Sequence, residues 1–516
     1  MRPAYIKFRA YLDKHPFWTS FLAGALATLS LPPAYVMPAF LMMGWVLYRA
    51  ATAANWKHCV AHIGLGAYGW FLTSLYWVSH SLLIGDADYW FMLPFSFFGI
   101  PILVTVFWMA GALGAYWAAR TSAGRAMMLV VMIGAAEWGR EFIATGFPWN
   151  APGLIALGTA PTAALGAIFG QTGLNFIMLL AAAIWPILIL LPTRQQRRIF
   201  GAVMGIAVLC LGAASYHLQK VTPLTPSDED KLIRVVQPAV PQADKWNYEK
   251  RPTHLARLTA LSRAPAAKGA TLVIWPESAF AGDYHGESTL VHALGDEIAI
   301  HHQERSAAGQ LLTGVLRFDA QNQLRNSALL LAEDGTSTLY DKTHLVPFGE
   351  YVPWRFIPFI DAIAGPTDFI EGDAVLPIFV PEIGLVLPLI CYEVIFPALT
   401  GTATQRPHII VNLTNDGWFG HTAGPYQHLA QTRMTAISYG IAVIRVANGG
   451  ISAVFDGKGR QEQALALGKA GFFDVPRPAV FAPTIFARYG WLTSFMIVIV
   501  GFIFAIGLDR SSQKRQ

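Results

Sequence analysis

Cys391 is the only cysteine of this chain outside its apolar segments. It follows the strand-like run Gly384-Leu-Val-Leu-Pro-Leu-Ile and opens the triplet Cys391-Tyr392-Glu393. The other two thiols, Cys59 and Cys210, sit in or beside hydrophobic stretches. A lone thiol beside acids points to a nucleophile rather than to half of a disulfide. Glu277 follows Leu272-Val-Ile-Trp-Pro, and Lys342 follows Ser337-Thr-Leu-Tyr-Asp. A thiol with an ordinary pKa of about 8.5 is only a few per cent ionised at neutral pH, so it needs a base. Glu277 would take its proton as the sulfur attacks an ester carbonyl, and would later return it. Lys342, aided by the backbone N–H of Tyr392, would stabilise the resulting oxyanion, and one such donor typically contributes about 10²–10³ in rate.

Each residue alone has a plainer explanation. A Glu after Trp-Pro caps a turn, a Lys in a polar turn is a solvated charge, and a Cys at a strand end is a small buried hydrophobe. What raises the chemical reading is that all three fall after strands or in the turns beside them. In layered α/β domains the carboxyl ends of strands form the usual ligand crevice.

Those strands belong to a stretch of ordinary globular composition from about residue 232 to 480. Alternation and β-branched content predict strands over Leu232–Val236, Thr271–Trp275, Leu311–Arg317, Ala328–Ala332, Leu385–Ile390, His408–Leu413, Ala442–Val446 and Ile451–Phe455. Helical patterns lie near 250–263, 288–305 and 426–439. Strands alternating with helices predict an α/β layered domain. A polar, Pro-containing linker over 218–231 precedes it.

The remainder is different in kind. The chain is 54% hydrophobic and 13% charged, where soluble domains carry about 25% charged residues. The excess apolar content lies in the first 217 residues and the last thirty or so. Eight runs approach the length needed to cross a bilayer: roughly 16–32, 34–51, 60–83, 91–119, 126–144, 171–192, 199–217 and 490–508. Lys and Arg cluster on one side of them: Arg2, Lys7, Arg9 and Lys14; Arg49 and Lys57; Arg120 and Arg125; Arg194, Arg197 and Arg198; then Arg510, Lys514 and Arg515. One opposing loop carries Asp86 and Asp88. The positive-inside rule then predicts cytoplasmic termini, seven crossings over 1–217, an exported domain over 232–480, and an eighth crossing within 481–516. The net charge of +5 follows from this topology; no basic stripe interleaved with aromatics indicates nucleic acid. The first apolar run reads as a retained anchor rather than a cleaved signal.

In order and spacing, Val273-Ile-Trp-Pro-Glu-Ser-Ala, Tyr340-Asp-Lys-Thr-His-Leu-Val-Pro-Phe-Gly-Glu-Tyr-Val-Pro, Ile390-Cys-Tyr-Glu-Val and Asn412-Leu-Thr-Asn-Asp-Gly-Trp-Phe-Gly resemble the Glu-Lys-Cys signature of the nitrilase, or carbon–nitrogen hydrolase, superfamily. The resemblance covers roughly 230–475. The seven-plus-one arrangement of spans narrows it to the bacterial apolipoprotein N-acyltransferase family. That resemblance implies an αββα sandwich beside a transmembrane helical bundle in the bacterial inner membrane. It implies Cys391 as nucleophile, Glu277 as general base and acid, and Lys342 as oxyanion stabiliser. It further implies that Glu350 and Glu393 hold the lysine and line the site, although taken alone Glu350 reads as a surface residue of a Gly-Glu turn and Glu393 as a helix-start acid.

The reaction implied has two steps. A phospholipid, by the family the sn-1 chain of one such as phosphatidylethanolamine, gives an acyl chain to Cys391 as a thioester. The α-amino group of the N-terminal diacylglyceryl-cysteine of an apolipoprotein then takes that chain as an amide. No cofactor is implied, and the enzyme is expected to be a monomer. Phe348, Tyr392, Trp418, Phe419 and Tyr426 are suitably apolar neighbours for an acyl slot, though aromatic groups are more often plain core. Trp246, in the polar stretch Gln242-Ala-Asp-Lys-Trp-Asn-Tyr, resembles the family's mobile-loop tryptophan. Trp149, in Thr145-Gly-Phe-Pro-Trp-Asn, resembles a motif at the membrane mouth of the site, or serves as an interfacial anchor. Glu137, Arg140 and Glu141 have the spacing of a structural ion pair.

Two other readings remain open on sequence alone. One is a membrane-anchored amidase that hydrolyses small amides. The other is a transporter or scaffold, against which stand spans without an obvious repeat and with few charges. The chain has no His-Glu-x-x-His, no Cys-x-x-Cys, and no phosphate or dinucleotide loop, and His301-His302 reads as a solvated pair, so no metal is expected.

Overall fold

The apolar runs coil into helices, as backbone polar groups in a hydrocarbon setting must be satisfied within the segment. In the computed structural model, residues 15–84, 90–265, 270–283, 309–332, 336–353, 355 and 368–513 are described. The basic N-terminal tail to Lys14, Asp86 and Asp88, the helix expected over 288–305 with His301-His302, and Lys514 and Arg515 lie outside them. The chain divides into two units, one of residues 1–83, 87–221 and 488–516, the other of 84–86 and 222–487.

The first unit is helical, with a helix within or overlapping each expected apolar run: Pro16–Ala27, Leu41–Ala51, Trp56–Leu75, Ile100–Ala118, Ser122–Gly139, Gly166–Leu190, Arg194–Lys220 and Trp491–Gln513. Among the described residues, four helices are long and apolar enough to cross a membrane: Trp90–Ala118, Gly166–Leu190, Arg194–Lys220 and Trp491–Gln513. The first two helices have 12 and 11 residues, and tighter helical turns over Thr28–Ser30 and Met37–Phe40 extend them to 16–30 and 37–51. Thr193 opens Arg194–Lys220 with a capping box shared with Gln196. The spacing of Glu137 and Arg140 does produce an ion pair, 2.6 Å between Arg140 Nη2 and Glu137 Oε2 and sealed from solvent. Trp108 Nε1 donates to the same carboxylate at 2.6 Å, and Arg140 Nη1 to the carbonyls of Phe147 and Trp149 at 2.6 and 2.9 Å. These bonds fix the turn that follows the helix.

The second unit is an αββα sandwich. One sheet runs β13-β1-β2-β4-β5-β6, with β3 also paired to β4, and the other runs β12-β11-β10-β9-β8-β7. In chain order the strands are β1 Asp228–Gln237, β2 Ala270–Ile274, β3 Phe280–Asp283, β4 Gln310–Phe318, β5 Leu324–Ala332, β6 Ser337–Asp341, β7 Ile378–Val380, β8 Gly384–Ile390, β9 Ile409–Asn415, β10 Ala442–Asn448, β11 Ser452–Phe455, β12 Gln461–Leu465 and β13 Gly471–Arg477. Ile233, Leu272 and Leu312 from one sheet meet Val386, Val411 and Ile444 from the other in a single core. Leu258 of the helix Arg251–Arg263 seals Val236, Trp275 and Leu329 on the outer face of the first sheet. β9 is buried along its whole length between parallel β8 and β10, so its polar residues Asn412, Thr414 and Asn415 must find partners inside the domain.

All eight expected strands are present within a few residues. The expected linker is shorter, because the preceding helix continues to Lys220 and β1 begins at Asp228. His217 and Lys220 favour that last helical turn through the dipole. β3, β6, β7, β12 and β13 were not among the expected strands. β7 has three residues and β12 is exposed nearly throughout, so neither shows an apolar alternation; backbone pairing alone defines them.

Candidate active site

Glu277, Lys342 and Cys391 all follow strands of the sandwich. After β2 the chain stays hydrogen-bonded to β4: Trp275 N–H donates to Leu312 O at 2.9 Å, Gly314 N–H to Pro276 O at 3.2 Å, and Ala279 N–H to Gly314 O at 3.0 Å. Gly314 makes this approach possible, since a Cβ there would lie 2.6 Å from Glu277 Cα. Lys342 extends β6, its N–H donating to Asn326 O on β5 at 2.9 Å. Cys391 directly follows β8, with φ at +50°, and Ser278 and Phe348 are also left-handed at +44° and +61°. Non-glycine residues held there store about 1–3 kcal/mol each and cluster at functional sites.

The lysine is not a solvated charge. It is 1% exposed, and its Nζ donates to Glu350 Oε1 at 2.9 Å and lies 3.7 Å from Glu277 Oε1. Burial alone would lower its pKa, but the two carboxylates outweigh that and raise it, so the ammonium stays charged. Glu350 is fixed from both ends, its other oxygen accepting from Val346 N–H at 2.8 Å. Asn326, on β5, donates from Nδ2 to Glu277 Oε1 at 2.9 Å and to Glu350 Oε1 at 2.8 Å, using both of its amide hydrogens.

Glu393 is fully buried. One of its oxygens accepts from Tyr340 Oη, Thr343 N–H, Thr343 Oγ1 and His344 N–H, the other from Ile390 N–H at 2.6 Å. It therefore ties the turn after Lys342 to the end of β8, and no bond joins it to Lys342 among the described contacts. Burial pushes its carboxyl up against the pull of those donors.

Cys391 is half-buried and unbonded to other sulfur. Burial pushes its thiol up to about 12, the Glu277 charge adds to this, and Lys342 opposes it. The resting sulfur is therefore a neutral thiol at pH 7. Any attack by this sulfur thus depends on a base that removes the proton during the reaction, and the Glu277 carboxylate is the acid–base group acting most strongly on it.

Lys245 was not singled out in the sequence, where only its neighbour Trp246 stood out. It is buried, and its Nζ donates to the backbone carbonyl of Glu277 at 3.1 Å. Burial lowers its pKa to about 8, against the pull of Glu277 and Cys391. The turn that carries it meets the Asp416–Phe419 turn, where the side-chain amides of Asn415 and Gln242 lie 2.8 Å apart. These two turns present Trp246 and Trp418, which are 49% and 40% exposed. Phe348 and Tyr426 are also exposed, while Phe419 is half-buried with its ring 6.2 Å from that of His428. Tyr392 is buried against Phe396. Trp149 belongs to the helical unit, buried with its ring 4.9 Å from Trp77. Among the described residues no group of His, Cys, Asp and Glu side chains is placed to hold a metal ion.

Two family models match the chain: carbon-nitrogen hydrolase over residues 232–470, and the apolipoprotein N-acyltransferase N-terminal domain over 23–184. An apolipoprotein N-acyltransferase of Rhodopseudomonas palustris is 32% identical over 92% of this chain and 92% of its own length. The chain belongs to the apolipoprotein N-acyltransferase family. Two other apolipoprotein N-acyltransferases, from Brucella melitensis and Rickettsia prowazekii, are 30% and 28% identical over 96% and 95% of this chain, and over 96% and 98% of their own lengths. Membership extends through the apolar region, which a soluble carbon–nitrogen hydrolase lacks, and so favours the transferase over the amidase reading. Glu277, Lys342, Glu350, Cys391 and Glu393 all lie within the carbon-nitrogen hydrolase match, and Trp149 within the N-terminal one.

Proposed function

We propose that this protein is an apolipoprotein N-acyltransferase that works through a thioester on Cys391. The observation that carries this reading is the ammonium of Lys342, held between Glu350 and Glu277, together with the Glu277 and Lys342 charges acting on the Cys391 thiol. Glu277 takes the thiol proton as the sulfur attacks the ester carbonyl of a phospholipid. The oxyanion forms against Lys342 and the Tyr392 N–H. The intermediate collapses, the C–O bond breaks, and the lysophospholipid leaves with the proton from Glu277. The α-amine of a diacylglyceryl-cysteine then attacks the thioester and gives its proton to Glu277. The C–S bond breaks and the thiol is restored.

Glu350 holds Lys342 in place, and Glu393 holds the turn behind it. Phe348, Tyr392, Trp418, Phe419 and Tyr426 supply apolar surface for the acyl chain, and Trp149 is assigned to the membrane mouth. Trp246 acts as a lid that keeps water from the thioester, without which the enzyme would only hydrolyse lipid. The eight apolar runs are read as eight spans, seven before the catalytic domain and one after it. Termini are cytoplasmic and the catalytic domain is periplasmic, on the positive-inside argument. The enzyme acts as a monomer in the bacterial inner membrane.

The test is direct. Purified protein incubated with acyl-labelled phosphatidylethanolamine should retain label that hydroxylamine releases, and Cys391→Ser should retain none. Addition of a diacylglyceryl-cysteine peptide should move the label to the peptide. Label acquired only from small amides, and never from phospholipid, would sink the proposal.

A further inference from the structure

The backbone of Cys391 is held as closely as the side chains around it. Its left-handed conformation needs support from neighbours. Its carbonyl oxygen faces two donors, His428 Nε2 at 3.1 Å and Asn412 Nδ2 at 3.3 Å. His428 stands on the helix Gly424–Tyr439 and is completely buried. A carbonyl only accepts, so this contact requires the proton on Nε2. The other ring nitrogen, Nδ1, lies 2.9 Å from Asp416 Oδ1 and 3.1 Å from Arg445 Nη2. In the neutral ring Nδ1 accepts from Arg445, and in the charged ring it donates to Asp416. In both states the Nε2–H stays directed at Cys391.

Arg445 sits in the buried strand β10 and has no solvent exposure. It donates from Nη2 to Asp416 Oδ2 at 2.6 Å and from Nη1 to Asn412 Oδ1 at 2.5 Å. One guanidinium thus orients both groups that hold the Cys391 carbonyl. Gly450 leaves the space for this, because a Cβ there would collide with the Asp416 carboxylate. A buried ion pair of this kind is costly to desolvate and is a poor device for stability alone.

We propose that His428, oriented by Asp416 and Arg445, is a positioning residue that pins the Cys391 carbonyl and keeps the thiol and the Tyr392 N–H aimed at the substrate carbonyl. The proposal rests on the reading of Cys391 as nucleophile. Without the Nε2–H the Cys391 carbonyl keeps only the longer bond from Asn412, at 3.3 Å, and the peptide can tilt away from its place; a misplacement of about 1 Å costs on the order of 10² in rate.

The experiment uses the full-length protein in detergent and measures single-turnover formation of hydroxylamine-labile label from acyl-labelled phosphatidylethanolamine. His428→Met removes the donor, and His428→Gln restores an N–H at similar reach. His428→Met is expected to acylate on the order of 10²-fold more slowly at saturating lipid, with little change in half-saturation. His428→Gln should outrun it by about tenfold or more, and any smaller ratio between the two overturns the proposal. Should His428→Met fail to fold, His428→Gln decides alone: a rate within about tenfold of the parent supports the role, and a slower one overturns it. Cys391→Ser in the same assay separates the two ideas. If it keeps labile label the nucleophile reading falls, whereas loss of its label with an unimpaired His428→Met removes only the positioning role.

Discussion

Lys342→Met removes one ammonium and leaves two carboxylates facing each other across Asn326. In the parent, Nζ lies 2.9 Å from Glu350 and 3.7 Å from Glu277. At an effective dielectric of about 20 these separations correspond to gross attractions of about 6 and about 4.5 kcal/mol. Most of that offsets desolvation, but breaking a buried pair by removing one partner still costs about 3–5 kcal/mol, because the remaining charge is uncompensated. The methionine variant should therefore melt well below the parent at pH 8. As pH falls toward 5 the leftover negative charge is relieved by proton uptake, so the deficit in melting temperature should shrink. The parent lysine itself contributes nothing to this slope: its pKa is raised, and its stabilisation is fully present below the unfolded value and is lost only at strongly alkaline pH. Acylation should not recover along with stability. The lost oxyanion partner should slow thioester formation by about 10²–10³ at every pH. The assays are thermal unfolding from pH 5 to 8 and single-turnover labelling by acyl-labelled phospholipid. A stability deficit that is the same at pH 5 and pH 8, or acylation within about tenfold of the parent, would refute the electrostatic reasoning.

Alkylation of Cys391 by iodoacetamide should accelerate about tenfold per pH unit from pH 6 to 10 without a plateau, as its thiol is pushed up to about 12; a plateau near neutrality would reveal a standing thiolate. Lys245, lowered to about 8, should make the parent more stable as pH rises from 8 toward 10.5, since the unfolded chain then binds the extra proton. Lys245→Met should lose that rise, which thermal melts at pH 7, 8 and 9 would detect. Asn326→Ala removes one donor from each of two carboxylates and should cost about 2 kcal/mol of stability, read from denaturant titration in detergent. Arg140→Met in the helical unit strands Glu137, and should lower stability by about 3–5 kcal/mol in the same titration.

The strands that carry Glu277 and Cys391 were legible because they are buried and apolar, and burial on both faces leaves a continuous run in the sequence. β12 was not, because Gln461-Glu-Gln-Ala-Leu is solvent-exposed nearly throughout and only its partner β11 makes it a strand. Lys342 illustrates a different limit. A lysine in the polar turn Asp-Lys-Thr-His reads alone as a solvated charge, yet the fold seals it against acids that lie 8 and 65 residues away in sequence (350 − 342 and 342 − 277). Only the joint pattern of three strand ends made it a candidate. Asn326 left no such trace, since it acts on two acids that are 49 and 24 residues distant.

Arg445 did leave a trace of a kind that composition and spacing overlook. A charged residue in the middle of Ala442-Val-Ile-Arg-Val-Ala, a strand with no polar alternation, cannot turn its side chain to solvent. Such a residue must have buried partners, because an unpaired charge in that setting would cost more than the strand contributes. The same reasoning applies to Asn412 and Thr414 on β9, which is buried from end to end. The sequence thus declares that a polar network lies beneath the sheet near Cys391, while its membership depends on which strands become neighbours. Parallel pairing of β9 with β10 sets Asn412 opposite Arg445. That register, rather than any local motif, is what brings a guanidinium to the back of the site and with it the histidine that reaches the Cys391 carbonyl.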